Sequence, residues 1–171
     1  SAVCSSDLLV QRVNQIPSIE TVSQVSALAQ STVTLSSTVT DTDGSIASYR
    51  WVQTSGSAVT LINADTAAAT FTAPSGTNVL AAVEYLTFEL TVTDNEGGTH
   101  TVTVEVAVAP VGSILLADLS FTDATLQACV LADAAQNRWV TVVQMTSLAC
   151  YYDIESLIGM EQLTGLTELA V

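Results

Sequence analysis

The sequence contains no lysine. Its basic side chains are Arg12, Arg50 and Arg138, set against 17 acidic residues for a formal net charge of −14 over 171 residues. Without a basic patch there is nothing to displace phosphate counterions, so nucleic acid is excluded as a partner, and an anionic membrane surface is disfavoured for the same reason. Schiff-base and P-loop chemistry are excluded too, since both need a lysine. The acidic balance suits solubility in salty water or the binding of cations. Cysteine is scarce: Cys4, Cys129 and Cys150 form no C-x-x-C pair, and the single histidine, His100, lies far from all three in sequence, which argues against a metal–thiolate site. The Cys129/Cys150 spacing suits a compact closed loop, with a chain-entropy contribution of about 3 kcal/mol, and it leaves Cys4 as the odd thiol. Cys4 then has three readings: an unpaired thiol, an inter-chain disulfide or a lipid anchor, with Val3 standing where a lipobox wants Gly or Ala. An oxidising compartment fits this arithmetic. No apolar run reaches the roughly 18 residues of a membrane helix, although the mean hydropathy is +0.47. Ser1 reads as a mature terminus left by signal-peptide removal or as a cut boundary, so a secreted or cell-surface location is expected.

Aromatics make up only 5% of the chain, and small and β-branched residues carry the packing, which points to many short strands. From Thr32 to Val108 alternating runs are separated by turn signals at short intervals, the pattern of a sandwich or barrel. Strands are predicted at 32–39, 46–54, 58–62, 68–72, 85–93 and 99–108. Val33 and Leu35 share one face of the first, Tyr49 and Trp51 point into the core from the second, and Val102, Val104, Val106 and Val108 point inward from the last. Thr101, Thr103 and Glu105 then face water. Asp41-Thr42-Asp43-Gly44 and Asp94-Asn95-Glu96-Gly97-Gly98 are turns whose side chains bond nearby amides and whose glycines accept positive φ. Ala109-Pro110-Val111-Gly112-Ser113 breaks the pattern and marks a domain boundary.

Beyond it the period changes. Residues 122–136 read as a helix, with Thr122 or Asp123 at its start and Leu126, Cys129, Val130 and Ala134 on one stripe; 138–143 reads as strand-like. Met145-Thr146-Ser147-Leu148-Ala149-Cys150 then matches Leu166-Thr167-Glu168-Leu169-Ala170-Val171 at an offset of 21 residues, a solenoid-like period. Between the copies Ile154, Leu157, Met160 and Leu163 recur every third residue, as a narrow coil interior requires; the alternative is an amphipathic helix over 154–166.

These motifs carry two resemblances. The run Asp41-x-Asp43-Gly44-x-Ile46-x-x-Tyr49-x-Trp51-x-Gln53, with Val33-Thr34-Leu35, Ser55-Gly56, Val59-Thr60-Leu61, Thr70-Phe71-Thr72-Ala73-Pro74, Leu86-Thr87-Phe88, Leu90-Thr91-Val92-Thr93-Asp94 and Gly97, resembles the PKD domain family of bacterial surface proteins and secreted polysaccharide-degrading enzymes. That resemblance implies an antiparallel immunoglobulin-like β-sandwich serving as spacer, adhesion module or carbohydrate-associated appendage, without catalytic residues. The stretch from Phe121 to Val171, above all Ile154 to Leu169 with Cys129 and Cys150 in cap-disulfide positions, resembles the amino-terminal cap and first turn of a bacterial leucine-rich-repeat domain, a small α/β unit. The expected organisation is an arm over 1–17, a PKD-like sandwich over 18–109, a linker over 110–116 and an incomplete repeat unit over 117–171. So few turns cannot bury both open ends, so either the repeats continue or another chain covers the edge.

Asp41, Asp43 and Asp94, with Glu96 nearby, are candidate Ca²⁺ ligands: the sandwich brings their loops to one end, hard oxygens suit a cation that takes roughly six to eight of them, and some PKD-like domains bind calcium. The alternative is that the aspartates tie their own turns through backbone amides. No nucleophile–base pair or carboxylate pair in a cleft is evident: His100 reads as a surface residue after a glycine turn, Glu84 and Glu89 as solvated strand edges, and Tyr49 and Trp51 as core rather than a sugar platform. Trp139 is left open between core and surface. A non-enzymatic protein is expected, either an adhesion or scaffold module with a protein or glycan ligand, or a filament subunit that binds copies of itself through the arm, with Leu8, Leu9, Val10, Val13 and Ile16, together with Cys4 and the open repeat edge. The third reading is an accessory region of a larger secreted hydrolase.

Overall fold

A computed structural model describes residues 12–75, 82–150 and 154–170. In chain order the strands are β1 (Ser18–Glu20), β2 (Gln24–Leu28), β3 (Thr32–Ser36), β4 (Thr38–Thr40), β5 (Ile46–Ser55), β6 (Ala68–Thr72), β7 (Glu84–Asp94) and β8 (Thr99–Ala109), followed by helix α1 (Ala124–Asn137) and the short strands β9 (Ser147–Ala149) and β10 (Glu168–Ala170).

The first eight strands form a sandwich. One sheet has the order β2-β8-β7-β5; β3 pairs with β6, and β1 with β4. The inward positions build one core: Val33 and Leu35 from β3, Trp51 from β5, Phe71 from β6, Leu86, Phe88, Leu90 and Val92 from β7, and Val104, Val106 and Val108 from β8. Trp51 is buried, with its indole N–H donating to the Thr66 carbonyl at 3.2 Å, whereas Tyr49 and Val102 are half-buried at the rim of the core.

The sheet departs from a purely antiparallel expectation in one place: β2, which the sequence pattern does not reveal, lies parallel to the end of β8, Gln24 opposite Glu105 and Leu28 opposite Ala109. Two segments read as strands are not strands, for a shared reason. At 58–62 the Gln53 carboxamide donates to the carbonyls of Ser55 (3.1 Å) and Ser57 (2.8 Å), just ahead of the segment, and accepts from the amide of Val59 (3.0 Å) within it; the segment makes a single bridge, Ile62 to Thr70. In 138–143 the Gln144 carboxamide oxygen accepts from the amides of Val140 and Thr141 at 2.8 and 2.9 Å. A side-chain amide that takes a segment's donors leaves fewer for a ladder, and 138–143 likewise makes a single bridge, Leu115 to Thr141.

The C-terminal unit has its own core around Leu126, Val130, Met145, Leu148 and Leu163. Asp123 caps α1, one carboxylate oxygen accepting from the amides of Thr125 (2.7 Å) and Leu126 (3.1 Å). The helix buries Leu126, Cys129, Val130 and Ala134, a stripe at three- and four-residue spacing. The other Asp123 oxygen accepts from the amides of Glu155 (2.6 Å) and Ser156 (3.2 Å), so one carboxylate fixes both the helix start and the returning chain. Cys129 and Cys150 are joined by a disulfide across a separation of 21 residues. β9 and β10 pair in parallel, Ser147 with Glu168, Leu148 with Leu169 and Ala149 with Ala170, so the sequence repeat is one turn of chain returning onto itself. The described part of that turn contains a short 3₁₀ segment, Met160–Gln162, and no α-helix. Leu163 is buried and Ile154 and Met160 pack at the core's edge, but Leu157 points out, 46% exposed.

The two units meet on the outer face of β8. Ala107 and Ala109 pack there against Leu115 and Val140, with Leu28, Val83 and Tyr85 around them. The Leu116 amide donates to the Val140 carbonyl (2.8 Å), and the Val142 amide to that of Ile114 (3.0 Å).

Phe88 is fully buried with its ring centroid 4.8 Å from that of Phe71. Replacing it with Ala is expected to cost about 3–5 kcal/mol, measured by urea unfolding. A double Cys129→Ser, Cys150→Ser variant is expected to lose about 3 kcal/mol from the C-terminal unit, read as faster exchange of α1 amides with the sandwich amides unchanged.

Candidate functional site

Two places gather polar side chains. The first is the end of the sandwich where the turns at 41–44 and 94–98 lie side by side. Asn95 ties them together: its side-chain oxygen accepts from the Ser45 amide (2.7 Å) and its own amide donates to the Ser45 carbonyl (2.9 Å). A Cβ on Gly44 would run into Asn95 and the Asp41 carboxylate, so glycine there is a packing requirement.

The three aspartates are neighbours in this region, but their oxygens are directed elsewhere. One Asp41 oxygen accepts from the amides of Asp43 and Gly44, both at 3.2 Å; the other is buried without a partner. Asp43 receives Arg12 at 3.2 Å and the Gln15 amide at 3.3 Å. Asp94, 2% exposed, accepts from the Asn14 side chain (2.8 Å) and the amides of Glu96 (2.8 Å) and Gly98 (2.9 Å). The Asn14 hydrogen bond foremost, then those from Gly98, Glu96 and Gly97, hold its carboxyl below the usual range against the opposing effect of burial. Among the described residues no three His, Cys, Asp or Glu side chains converge as a metal site. Of these three carboxylates the one Asp41 oxygen is without a protein partner, against the roughly six to eight oxygens, carbonyls and waters included, that Ca²⁺ takes. Residues 12–17 supply partners to Asp43 and Asp94, and pairs separated by tens of residues leave no local pattern in a sequence.

The second place is the joint. Arg138 ends α1 in the left-handed conformation (φ 56°), a position where glycine is usual. Its guanidinium donates to both Glu105 oxygens, at 2.8 and 2.9 Å, and sits 4.7 Å from the centre of the Tyr85 ring, while the Tyr85 hydroxyl donates to the Arg138 carbonyl at 3.0 Å. The Glu105 hydrogen bond first, and Tyr85 second, favour the charged guanidinium. Beside this clasp a cleft of about 140 Å³ is lined by Gln24, Ser26, Leu131, Arg138 and Trp139. Trp139 is thus half-buried, with one side against the second core and the other on this cleft.

Among the described residues the remaining candidates lie apart from one another. His100 Nδ1 donates to the Pro17 carbonyl at 2.8 Å, Glu84 accepts from the Ser57 amide at 2.9 Å, and Glu89 sits exposed in β7. Cys4, Leu8, Leu9 and Val10 lie outside the described residues; Val13 and Ile16 are exposed.

A family model described as "K319L-like, PKD domain" matches residues 23–108. The chain belongs to this PKD family. The match runs from the start of β2 through all but the last residue of β8, and leaves the C-terminal unit outside it. No curated protein matches the chain. Among solved structures, a nucleoside hydrolase-related protein from Saccharophagus degradans is 24% identical (TM-score 0.45) over 57% of this chain, which spans only 26% of that protein. The PKD domain of the KIAA 1837 protein is 26% identical (TM-score 0.39), covering 54% of this chain and 85% of that one. The PKD1 domain of Vibrio anguillarum Epp is 24% identical (TM-score 0.40), covering 57% and 99%.

The lowered pKa of Asp94 sets the direction of the PKD domain's acid response. A carboxylate whose folded value lies below its unfolded value of about 3.9 stabilises the fold above that pH and loses this contribution as pH falls through the folded value. The melting temperature is therefore expected to hold between neutrality and pH of about 5, then fall below about 4, with Asp94→Asn lowering the neutral plateau and flattening the fall. An unchanged acid limb in that variant would assign the transition to other carboxylates. Addition of a chelator is expected to leave the melting temperature unmoved; a downward shift would restore a bound cation.

Proposed function

We propose that the chain is a non-enzymatic extracellular module in which the PKD sandwich is a spacer and the C-terminal unit presents a surface for a protein or glycan ligand. The observation that carries this reading is the joint. A spacer must fix the direction in which it holds its recognition unit, and here β8 packs on both units while Arg138 clasps them. The clasp is exposed, so its ion pair alone contributes little; the apolar contact of Ala107, Ala109, Leu115 and Val140 beneath it supplies the rest.

Other features agree with an extracellular setting. The Cys129–Cys150 disulfide fits an oxidising compartment, and among the described residues no helix is long and apolar enough to cross a membrane. The C-terminal unit is best read as the cap and first turn of a leucine-rich-repeat domain, because β9 and β10 stack in parallel at the period of the sequence repeat. The joint cleft sets an indole beside an amide, a hydroxyl and a guanidinium, a combination that suits sugar hydroxyls.

Two measurements test the proposal. Leu115→Asp combined with Arg138→Ala, which removes both the apolar contact and the clasp, is expected to increase the maximum dimension in small-angle scattering and to speed proteolysis within 110–116, with both cores still folded; unchanged scattering and proteolysis would remove the joint from the account. A panel of glycans and surface proteins is expected to yield a ligand whose binding is weakened at least tenfold by Trp139→Ala in a variant with an unchanged α1 signal. Turnover of any panel member by the purified chain would contradict the non-enzymatic reading.

A further inference from the structure

β2 and β3 are free edges of the two facing sheets. β2 ends the four-stranded sheet and β3 pairs only with β6, and among the described residues no backbone hydrogen bond joins the two. Between them runs a groove of about 300 Å³ lined by Val25, Leu28, Val33 and Leu115, with Thr32 and Thr34 exposed on its β3 side. An apolar slot flanked by unpaired strand edges is what an extended segment needs: the edge offers backbone hydrogen bonds and the slot takes alternate side chains.

The sequence ahead of Arg12 supplies such a segment. In Cys4-Ser5-Ser6-Asp7-Leu8-Leu9-Val10-Gln11, an extended backbone would put Leu8 and Val10 on one face with Ser6 and Cys4, and Asp7 and Gln11 on the other. The path of the adjoining residues says which groove the segment meets. Ser23 accepts from the Glu105 amide, Pro17 lies against His100, Asn14 against Asp94 and Arg12 against Asp43. Traced backwards from β2, the chain follows β8 to the turn end of the sandwich. The groove is at the opposite end, where Val25 and Leu28 pair with Val106 and Ala109. Arg12, to which residues 1–11 attach, therefore sits at the end opposite the groove, a relation that between copies gives head-to-tail contacts rather than a closed pair.

We infer that residues 1–11 of one copy insert into the β2–β3 groove of a second copy, so that the chain assembles head to tail. The occupant is a second copy because Arg12 and Asn14 are held at the end of the sandwich far from their own groove. Copies at a net charge of −14 repel one another, so association strengthens as salt screens them.

The test uses the full chain. In sedimentation the average mass is expected to rise with concentration and with salt, and a Leu8→Asp, Val10→Asp double variant is expected to stay monomeric with its melting temperature unchanged. A wild-type chain that is monomeric at every concentration and salt, or a double variant that still associates, overturns the inference. Thr32→Cys and Thr34→Cys variants, mildly oxidised, give the polarity. A ladder of trimers and larger species on a non-reducing gel, abolished by Cys4→Ser, supports insertion between copies. Dimers alone, from Cys4 pairing with Cys4, or a monomer of altered mobility, from the arm folding back, would each overturn it. The spacer proposal stands on the joint and is untouched by either result.

Discussion

Everything in this structure hangs on the two-residue alternation of β8. Val104, Val106 and Val108 face the sandwich core, and Ala107 and Ala109, between and beyond them, form the floor on which the C-terminal unit rests. Because successive residues point to opposite faces, a slip of one residue against β7 would carry the valines out of one core and the alanines out of the other contact. The long β7–β8 ladder, Glu84 opposite Val108 through Thr93 opposite Thr99, fixes that register. Small residues on the outer face let the second unit come close. Glu105, next on the same face, becomes the partner of Arg138.

The same economy appears in the C-terminal unit. Asp123 spends one oxygen on the start of α1 and the other on the returning chain at Glu155 and Ser156. These hydrogen bonds, those to Leu126 and Glu155 foremost, hold its carboxyl below the ordinary range despite the opposing effect of burial. Cap, disulfide and parallel strand pair all act on one short loop of chain, which suits a unit whose core is small. Leu148 is 2% exposed and Leu169, one repeat later, 46%: the second copy of the motif occupies the equivalent place with less around it.

What the sequence made legible was local or periodic. Helix α1 and its Asp123 cap, the buried stripe Leu126, Cys129, Val130 and Ala134, and the register of β9 on β10 all follow from spacing within a few tens of residues. The alternation of β8 was legible too, though not that its outer face is a second contact surface, since Glu105 reads as solvent-facing until Arg138 is placed beside it. What escaped notice depended on side chains acting as backbone. Gln53 takes the Val59 amide and Gln144 the Val140 and Thr141 amides in two valine-containing segments that read as strands, and Arg12 and Asn14 hold Asp43 and Asp94, two of the three aspartates that read as cation ligands. β2 escaped because Val25-Ser26-Ala27-Leu28 is too short to show a period, and because it is parallel and set by β8 rather than by a hairpin.

The central claim is that sandwich and C-terminal unit are one body joined through β8 rather than two bodies on a flexible linker. NMR relaxation of the backbone amides of β8 and α1 tests it most directly. One body predicts a single overall correlation time for both sets of amides. A separate, shorter correlation time for α1, with both units folded, would contradict it.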